Sequence, residues 1–295
     1  MSVTVVTDSA ASLPAGAVGD LGIVVVPMTL VLGGLVYADG DLSPEELVLR
    51  SETEHVSTSA PSPGDFLKAI ARSTEQAENG GQVLVLTVSS SMSATYEAAL
   101  TAASYVDDVD VSVIDTATAA GAQGLVVMAA AQMAATGAPL AEVASRAQRV
   151  ADDVRLMATL RNLDHLARSG RVPQAAAWAG RTVGVQVMFE FSGGKARPRR
   201  PARTERGALG RMVEAMVRSR PGRKEGSGAR AVLRGAVLEA QAKESAATLH
   251  GLVNTAVPEA DIFEAPFSSV MVAHTGPDLV GLAWWWEEFK DDGGR

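Results

Sequence analysis

The chain has 295 residues, 47% of them hydrophobic, which is enough to bury the core of one large domain or two ordinary ones. It contains no cysteine, and this excludes disulfides, thiolate nucleophiles and cysteine-based metal sites. The net charge of −8 argues against general nucleic-acid binding. The charge is also unevenly placed: residues 1–150 carry 5 Lys+Arg and 17 Asp+Glu, whereas residues 151–295 carry 21 Lys+Arg and 17 Asp+Glu. This difference predicts two domains with different surfaces.

The N-terminus, MSVTVVTDSA, lacks a basic segment and is typical of a strand, so we expect no signal peptide. Together with the absence of cysteine, this favours a cytoplasmic protein. A long charge-free run lies between Asp115 and Glu142. It is rich in Ala and Gly and includes Gln123 and Gln132, which favours a buried helix over a membrane span. We therefore expect no integral membrane segment.

The first half alternates strand-like and helix-like segments. Val3–Val6 is a short β run that ends in Thr7-Asp8-Ser9, where the polar residues either form part of a ligand site or cap the next helix. The later segments are an apolar run at Ile23–Leu32, helices from Ser43 and from Ser62 or Pro63, a strand at Val83–Val88, a helix after Ser93, a strand at Val109–Ile114, and helices at Gly121–Ala135 and about 140–150. This alternation predicts a Rossmann-like α/β domain with a largely parallel sheet.

Two groups of hydroxyl residues occur in this half. Ser89–Ala99 begins with three serines directly after a strand and then becomes helical, which is typical of a small anion site at a helix N-terminus. Ser57, Thr58 and Ser59 lie in a segment that we predict to be a loop, since two prolines follow. They are either ordinary loop donors or converge with Ser89–Ser91 on one site.

The pattern changes near residue 152, where we place the boundary between residues 1–152 and an α+β domain of residues 153–286, followed by a polar tail of residues 287–295. The predicted elements of the second domain are a strand at Val154–Leu160, a hairpin of Val183–Phe191 and Ala196–Arg203, a helix at Glu205–Arg218, a strand at Ala231–Leu238, a helix near Ala240–Leu252, and strands at Asp261–Phe263 and Val270–Ala273.

The sequence carries no familiar enzyme signature: it has no nucleophile elbow, no H-E-x-x-H and no phosphate-binding P-loop. No pair among His55, His165, His250 and His274 has metal-ligand spacing, so we expect neither a metal nor a cofactor. His274 follows the predicted strand Val270–Ala273 and precedes a Gly-Pro turn. It is therefore well placed to face a cleft, although a structural histidine is the other interpretation.

A dense basic run and a tryptophan triplet mark the second half. The basic run is either a solvated hairpin edge, a phosphate or nucleic-acid surface, or a docking patch for an acidic partner; it consists of Lys195, Arg197, Arg199, Arg200, Arg203 and Arg206. Adjacent tryptophans cannot all face one core. At least one of Trp284, Trp285 and Trp286 should therefore pack on a neighbouring element or a partner.

Taken in order, several of these pieces resemble the DegV family of bacterial fatty-acid-binding proteins. The resemblance covers residues 3 to about 283. Its pieces are Thr7-Asp8-Ser9, Ser57-Thr58-Ser59-Ala60-Pro61-Ser62-Pro63, Ser89-Ser90 through Ser93-Ala94-Thr95-Tyr96, Asp115-Thr116 before Gly121–Gly124, Asn162-Leu163-Asp164-His165-Leu166 leading to Ser169-Gly170-Arg171-Val172, Arg203-Thr204, and His274-Thr275-Gly276-Pro277. The chain departs from the family pattern at Ala94, Ser169 and Asp278, where the family commonly has Gly.

The resemblance implies a two-domain carrier that holds one long-chain fatty acid between its domains, with the acyl tail in an apolar tunnel. By position, Thr58, Ser90 and His274 would contact the carboxylate, and Ser89 and Ser93 would belong to the same ligand site. Some family members present the acid to a separate ATP-dependent kinase, which forms an acyl phosphate for phospholipid synthesis. Arg171 and Arg203 would lie near the mouth and meet that kinase. The carrier itself would not be an enzyme.

Physical chemistry is compatible with this implication. A buried carboxylate is tolerated when hydroxyl and imidazole donors bind it, and an acyl tail gains roughly 0.8 kcal/mol per buried CH₂. The alternative is a hydrolase or acyl-transfer enzyme that uses Ser90 or Ser93 as nucleophile and His274 as base. Only Asp8 and Asp278 offer themselves as the third, orienting group of such a site.

Overall fold

The computed structural model describes residues 2–75, 81–172, 185–222 and 230–289. Its strands are β1 Val3–Asp8, β2 Val24–Val26, β3 Thr29–Leu32, β4 Leu35–Ala38, β5 Val56–Ser59, β6 Gln82–Thr87, β7 Val111–Asp115, β8 Arg155–Leu160, β9 Gln186–Ser192, β10 Lys195–Ala202, β11 Arg230–Ala240, β12 Asp261–Pro266 and β13 Leu279–Phe289. Its helices are α1 Ala17–Asp20, α2 Pro44–Ser51, α3 Pro63–Glu75, α4 Thr95–Ala103, α5 Ala120–Ala135, α6 Leu140–Asp153, α7 Asp164–Arg168, α8 Glu205–Arg218, α9 Lys243–Ala256 and α10 Ser269–Thr275.

The first half is built on a parallel sheet with the strand order β2-β1-β6-β7. Its central strands read as nearly continuous apolar runs because both faces of the sheet are covered. Val83 and Val85 pack with Phe66 of α3 and Ala99 of α4, whereas the alternate residues of the same strand face a second core. The parallel α/β domain predicted from the sequence is confirmed.

A second, three-stranded antiparallel sheet with the order β4-β3-β5 lies in the same half. The prediction of a loop at Ser57–Ser59 was therefore wrong. Val56 and Thr58 are half-buried and Ser57 and Ser59 are exposed, which is the period of two that a strand imposes. Thr58 pairs with Leu30 of β3, so regular sheet structure fixes its direction.

The second half is built on a mixed sheet with the order β10-β9-β8-β13-β11-β12, in which β11 and β12 are parallel and the other pairs are antiparallel. The predicted hairpin is formed by β9 and β10, with residues 183 and 184 outside the described part of the chain. On β13, Trp284 and Trp286 pack in the core under α8 and α9, and Trp285 faces the opposite core. Alternation along the strand therefore buries all three tryptophans within the chain. Of the two predicted packing partners, a neighbouring element or another protein, the structure shows neighbouring elements.

Two further predictions need correction. Val270–Ala273 belongs to helix α10, which Ser268 caps, and is not a strand. Four apolar residues in a row are too few to distinguish a strand from a buried helix. The polar tail does not begin at residue 287, because β13 continues to Phe289 by pairing with Arg230–Val232 of β11. The remaining tail residues, 290–295, lie outside the described part of the chain.

Helix α5 joins the two halves. Gly121 lies so close to β11 that a Cβ atom there would come within 2.7 Å of the side chains of Ala236 and Leu238. The other side of the helix packs on the parallel sheet and on the turn at Ala11. A helix buried on all sides needs no polar face, which explains the charge-free run seen in the sequence. Among the described residues, no helix combines the length and apolar character needed to cross a membrane.

Candidate functional site

A hydroxyl–imidazole pair links the two halves of the chain. The Oγ1 atom of Thr58 on β5 lies 2.8 Å from the Nε2 atom of His274 in the last turn of α10, across 216 positions of sequence. Helix α10 is anchored to the first half by two contacts at its start: the Val270 N–H donates to Oδ1 of Asp39 at 3.2 Å, and the Ser269 hydroxyl donates to the Leu42 carbonyl. These contacts set the position from which His274 reaches Thr58.

The imidazole of His274 is neutral near pH 7. Burial, helped by the positive charge of Arg171, lowers the pKa of His274 to about 4. A neutral imidazole donates from one ring nitrogen and accepts at the other. The Thr58 hydroxyl therefore either donates to Nε2 or accepts from it, according to the tautomer. In the second case the hydroxyl proton of Thr58 is available to another acceptor.

Behind the pair lies an apolar cavity of about 70 Å³, which we call the inner cavity. Both halves contribute to its wall, which includes three methionines. The lining residues are Ala10, Met28, Thr58, Ser59, Ala60, Val88, Met92, Ser93, Ala119, Leu166, Arg171, Val270, Met271, His274 and Thr275. The methionines were not singled out from the sequence, because single Met residues on separate elements form no motif.

In front of the pair lies a larger and more polar space of about 480 Å³, the outer cleft. It shares Thr58, Arg171 and His274 with the inner cavity. His165 and Gly276 also line it, and the backbone of Gly276 has φ of 70°. A Cβ atom at Gly276 would come within 2.5 Å of the His165 ring, so this close approach requires glycine. The Thr58–His274 pair thus lies where a polar cleft meets an apolar cavity.

The serines of the 89–93 segment have different environments. Ser93 lines the inner cavity, and its hydroxyl lies 2.7 Å from that of Thr95. Ser90 is exposed, and its hydroxyl donates to Oδ2 of Asp115 at 2.5 Å. Ser89 is buried, and its N–H donates to the Thr118 carbonyl at 2.8 Å. Of the three predicted serines, Ser93 therefore borders the cavity, and Ser89 and Ser90 hold the loop in place.

The two predicted docking arginines also differ in position. Arg171 lines both the inner cavity and the outer cleft, and its charge acts on His274. Arg203 is exposed between β10 and α8 and lines neither space.

Asp8 is buried, is bonded to Ala10 and Val88 of the inner-cavity wall, and has a structural role. It accepts hydrogen bonds from the N–H groups of Val88 at 2.7 Å and Ala10 at 3.0 Å, and from Nε2 of Gln123 at 3.2 Å. Burial raises the pKa of Asp8 to about 6 although these bonds oppose the rise. Of the two interpretations of Thr7-Asp8-Ser9, the structure supports capping for Asp8, since the Ala10 bond caps a 3₁₀ turn.

The contacts of the described residues do not assemble a Ser–His–acid relay. Nε2 of His274 bonds to Thr58, the hydroxyls of Ser90 and Ser93 bond elsewhere, and Asp8 orients no histidine. Asp278 lines neither the inner cavity nor the outer cleft. Within the described part of the chain, no group of three or more His, Asp or Glu side chains is arranged to hold a metal ion.

A sequence profile of the family described as "Uncharacterised protein, DegV family" matches residues 2–287. A DegV domain-containing protein of Streptomyces coelicolor is 33% identical over 95% of this chain and 97% of its own. A fatty acid-binding protein of Thermotoga maritima is 30% identical over 96% of this chain and 97% of its own. A fatty-acid-binding DegV family protein from Thermus thermophilus, of known structure, has a TM-score of 0.88 at 28% identity, over 97% of this chain and 99% of its own.

Proposed function

The chain belongs to the DegV family, and we propose that it binds one long-chain fatty acid between its two domains and presents the carboxylate to a separate ATP-dependent kinase in the cytoplasm. One observation carries this proposal: the Thr58–His274 pair lies at the junction of the apolar inner cavity and the polar outer cleft. An amphiphile needs such a junction, because its head group must remain hydrogen-bonded while its tail leaves water.

The carboxylate would be held by the Thr58 hydroxyl, which His274 orients. With Nε2–H of His274 donating to Oγ1 of Thr58, the hydroxyl proton of Thr58 is directed to the ligand. The Arg171 guanidinium, which borders the same junction, supplies positive charge. Ser93 would border the first part of the acyl chain, and Ser89 and Ser90 would support the loop that carries it.

The tail would enter the inner cavity. Its volume of about 70 Å³ is below the roughly 300–1,000 Å³ of typical small-molecule sites, so the wall must repack around an acyl chain. Met28, Met92 and Met271 suit this, because the unbranched thioether side chain adopts many shapes at low cost. Each buried methylene contributes roughly 0.8 kcal/mol, which favours the opening.

The protein would act as a carrier and leave the chemistry to its partner. The carboxylate would lie at the mouth of the cleft beside Arg171, where a kinase can reach it, and exposed Arg203 would contribute to docking. The kinase would transfer a phosphoryl group from ATP to the carboxylate, forming an acyl phosphate for phospholipid synthesis. The absence of a Ser–His–acid relay among the described contacts disfavours the hydrolase alternative.

Lipid binding is tested by native mass spectrometry of the purified protein and by uptake of added oleate or palmitate after delipidation. We expect Thr58→Ala and His274→Ala to weaken retention. Thr101→Ala is the matched control, because Thr101 is an exposed threonine on α4 that lines neither the inner cavity nor the outer cleft. Recovery of no fatty acid, together with no uptake of either added lipid, would overturn the proposal.

Presentation is tested separately by incubating the lipid-loaded protein with a bacterial fatty acid kinase and labelled ATP. We expect the wild type to support acyl phosphate formation. Arg203→Glu should retain lipid at wild-type stoichiometry and lose turnover, whereas Arg171→Glu places a negative charge beside the carboxylate and should weaken lipid retention as well as turnover. If both variants are phosphorylated at the wild-type rate, the arginines do not form the docking surface.

A further inference from the structure

An arginine-rich cleft of about 500 Å³ lies on the α8 side of the mixed sheet. It shares no residue with the inner cavity or the outer cleft. We call it the arginine cleft. Its floor is formed by Met157, Met188 and Trp284, and its charged walls by Arg155, Arg199, Arg200, Arg211, Arg218, Glu190 and Glu214.

The charges of the arginine cleft are not balanced internally. Glu190 forms an ion pair with Arg199, and Oε2 of Glu214 lies 3.4 Å from Nη1 of Arg218. Among the described residues, Arg155 and Arg200 have no acidic partner. The walls therefore carry three positive charges in excess, on a chain whose net charge is −8. Planar guanidinium groups bind carboxylates through paired hydrogen bonds, so the cleft is suited to an acidic occupant.

The same chain carries a matching acidic surface beyond the end of α4. Tyr105 is 72% exposed, and Leu100 is 43% exposed beside it. Asp107 and Asp108 follow, both exposed and without a partner among the described residues. We call these four residues the acidic knob. An exposed aromatic side chain next to free carboxylates is the kind of group that anchors a protein interface, particularly against arginine.

The knob and the arginine cleft lie near opposite ends of α6. Gln82 accepts a hydrogen bond from the N–H of Leu140 at the start of the helix and donates one to Asp110, two residues beyond Asp108 of the knob. Arg155 of the cleft follows the end of the same helix. Since 14 helical residues span about 21 Å, one chain does not fill its own cleft with its own knob.

We propose that the acidic knob of one copy docks in the arginine cleft of a second copy. Asp107 and Asp108 would pair with Arg155 and Arg200, and the Tyr105 ring would lie against the guanidinium groups of the cleft wall. Complementary charges speed such encounters and fix their register. The contact leaves the outer cleft open and does not depend on lipid binding, so it can be tested independently of the proposed function.

Sedimentation velocity over a concentration series, at low and at high salt, tests the proposal. We expect the weight-average mass to rise with concentration at low salt, and the association to weaken at high salt as screening shortens the reach of the charges. Two charge-reversed proteins separate the surfaces: Arg155→Glu with Arg200→Glu, and Asp107→Lys with Asp108→Lys. Each alone should raise the Kd of self-association by about tenfold or more.

An equimolar mixture of the two charge-reversed proteins should associate again, because each reversed surface then meets its complement. Charge-matched controls, Arg72→Glu with Lys243→Glu and Glu259→Lys with Glu244→Lys, change exposed residues outside both surfaces and should leave association unchanged. Melting curves check that every variant folds. A wild type that stays monomeric, a loss on reversing only one of the two surfaces, or a mixture that fails to associate overturns the proposal.

Discussion

Replacing Asp8 by Asn should remove a step in the pH dependence of stability. Burial raises the pKa of Asp8 from an ordinary value of 3.8 to about 6. Because the folded state holds this proton more tightly than the unfolded chain does, the favourable contribution is complete below about pH 4 and is lost as the pH rises through about 6. A pKa difference of this size corresponds to about 3 kcal/mol of unfolding free energy.

The assay is equilibrium urea unfolding of the wild type and Asp8→Asn at intervals from about pH 4 to about pH 7. Asn keeps the Oδ1 acceptor for Ala10 but places an amide nitrogen opposite the Val88 N–H, so the variant is less stable than the wild type at low pH. That deficit should shrink by about 3 kcal/mol as the pH rises. The control is Asp20→Asn, an exposed carboxylate at the end of α1. A deficit for Asp8→Asn that is constant with pH would refute the reasoning.

Two further substitutions test packing and charge. Gly276→Ala places a Cβ atom within 2.5 Å of the His165 ring at a φ of 70°, so it should destabilise the fold by about 1–3 kcal/mol and weaken lipid retention, measured by thermal melting and native mass spectrometry. Glu287→Gln removes the shared partner of Arg146 and Arg234 at a largely buried position and should cost about 3 kcal/mol in urea unfolding. The neighbouring exposed Glu288→Gln should cost less than about 0.5 kcal/mol, and equal effects at the two positions would contradict the assigned roles.

The sequence predicted those strands and helices whose hydrophobic pattern extends over the whole element. Val83–Val88 is apolar except for Thr87 because both faces of its sheet are covered, and such runs separated by helices predict parallel strands. The charge-free helix was also predicted, since a helix packed on all sides needs no polar stripe. Short elements were missed for the opposite reason: β5 has four residues and α10 has seven, of which only the run Val270–Ala273 is apolar, so neither period is decisive.

The site was accessible from the sequence only in part. The resemblance named Thr58 and His274, but their contact depends on how α10 packs against the first half through Ser269 and Asp39. Such a contact is set by tertiary packing and leaves no mark in local periodicity. For the same reason the serine segment could be recognised as a strand-to-helix turn, while the direction of each hydroxyl could not be predicted.

The serine segment therefore provides a decisive comparison. If Ser90 binds the carboxylate as the resemblance implies, Ser90→Ala should weaken oleate binding as strongly as Thr58→Val does. The observed contacts lead us to expect otherwise, because the Ser90 hydroxyl is committed to Asp115 and Thr58 bonds to His274. Loss of one hydrogen bond to a charged head group is worth about 1.5–3 kcal/mol, so Thr58→Val should raise the Kd at least tenfold. Ser90→Ala should change it by less than about threefold. If the two variants raise the Kd for oleate equally, Ser90 also binds the carboxylate, and its hydroxyl must turn away from Asp115 when lipid binds.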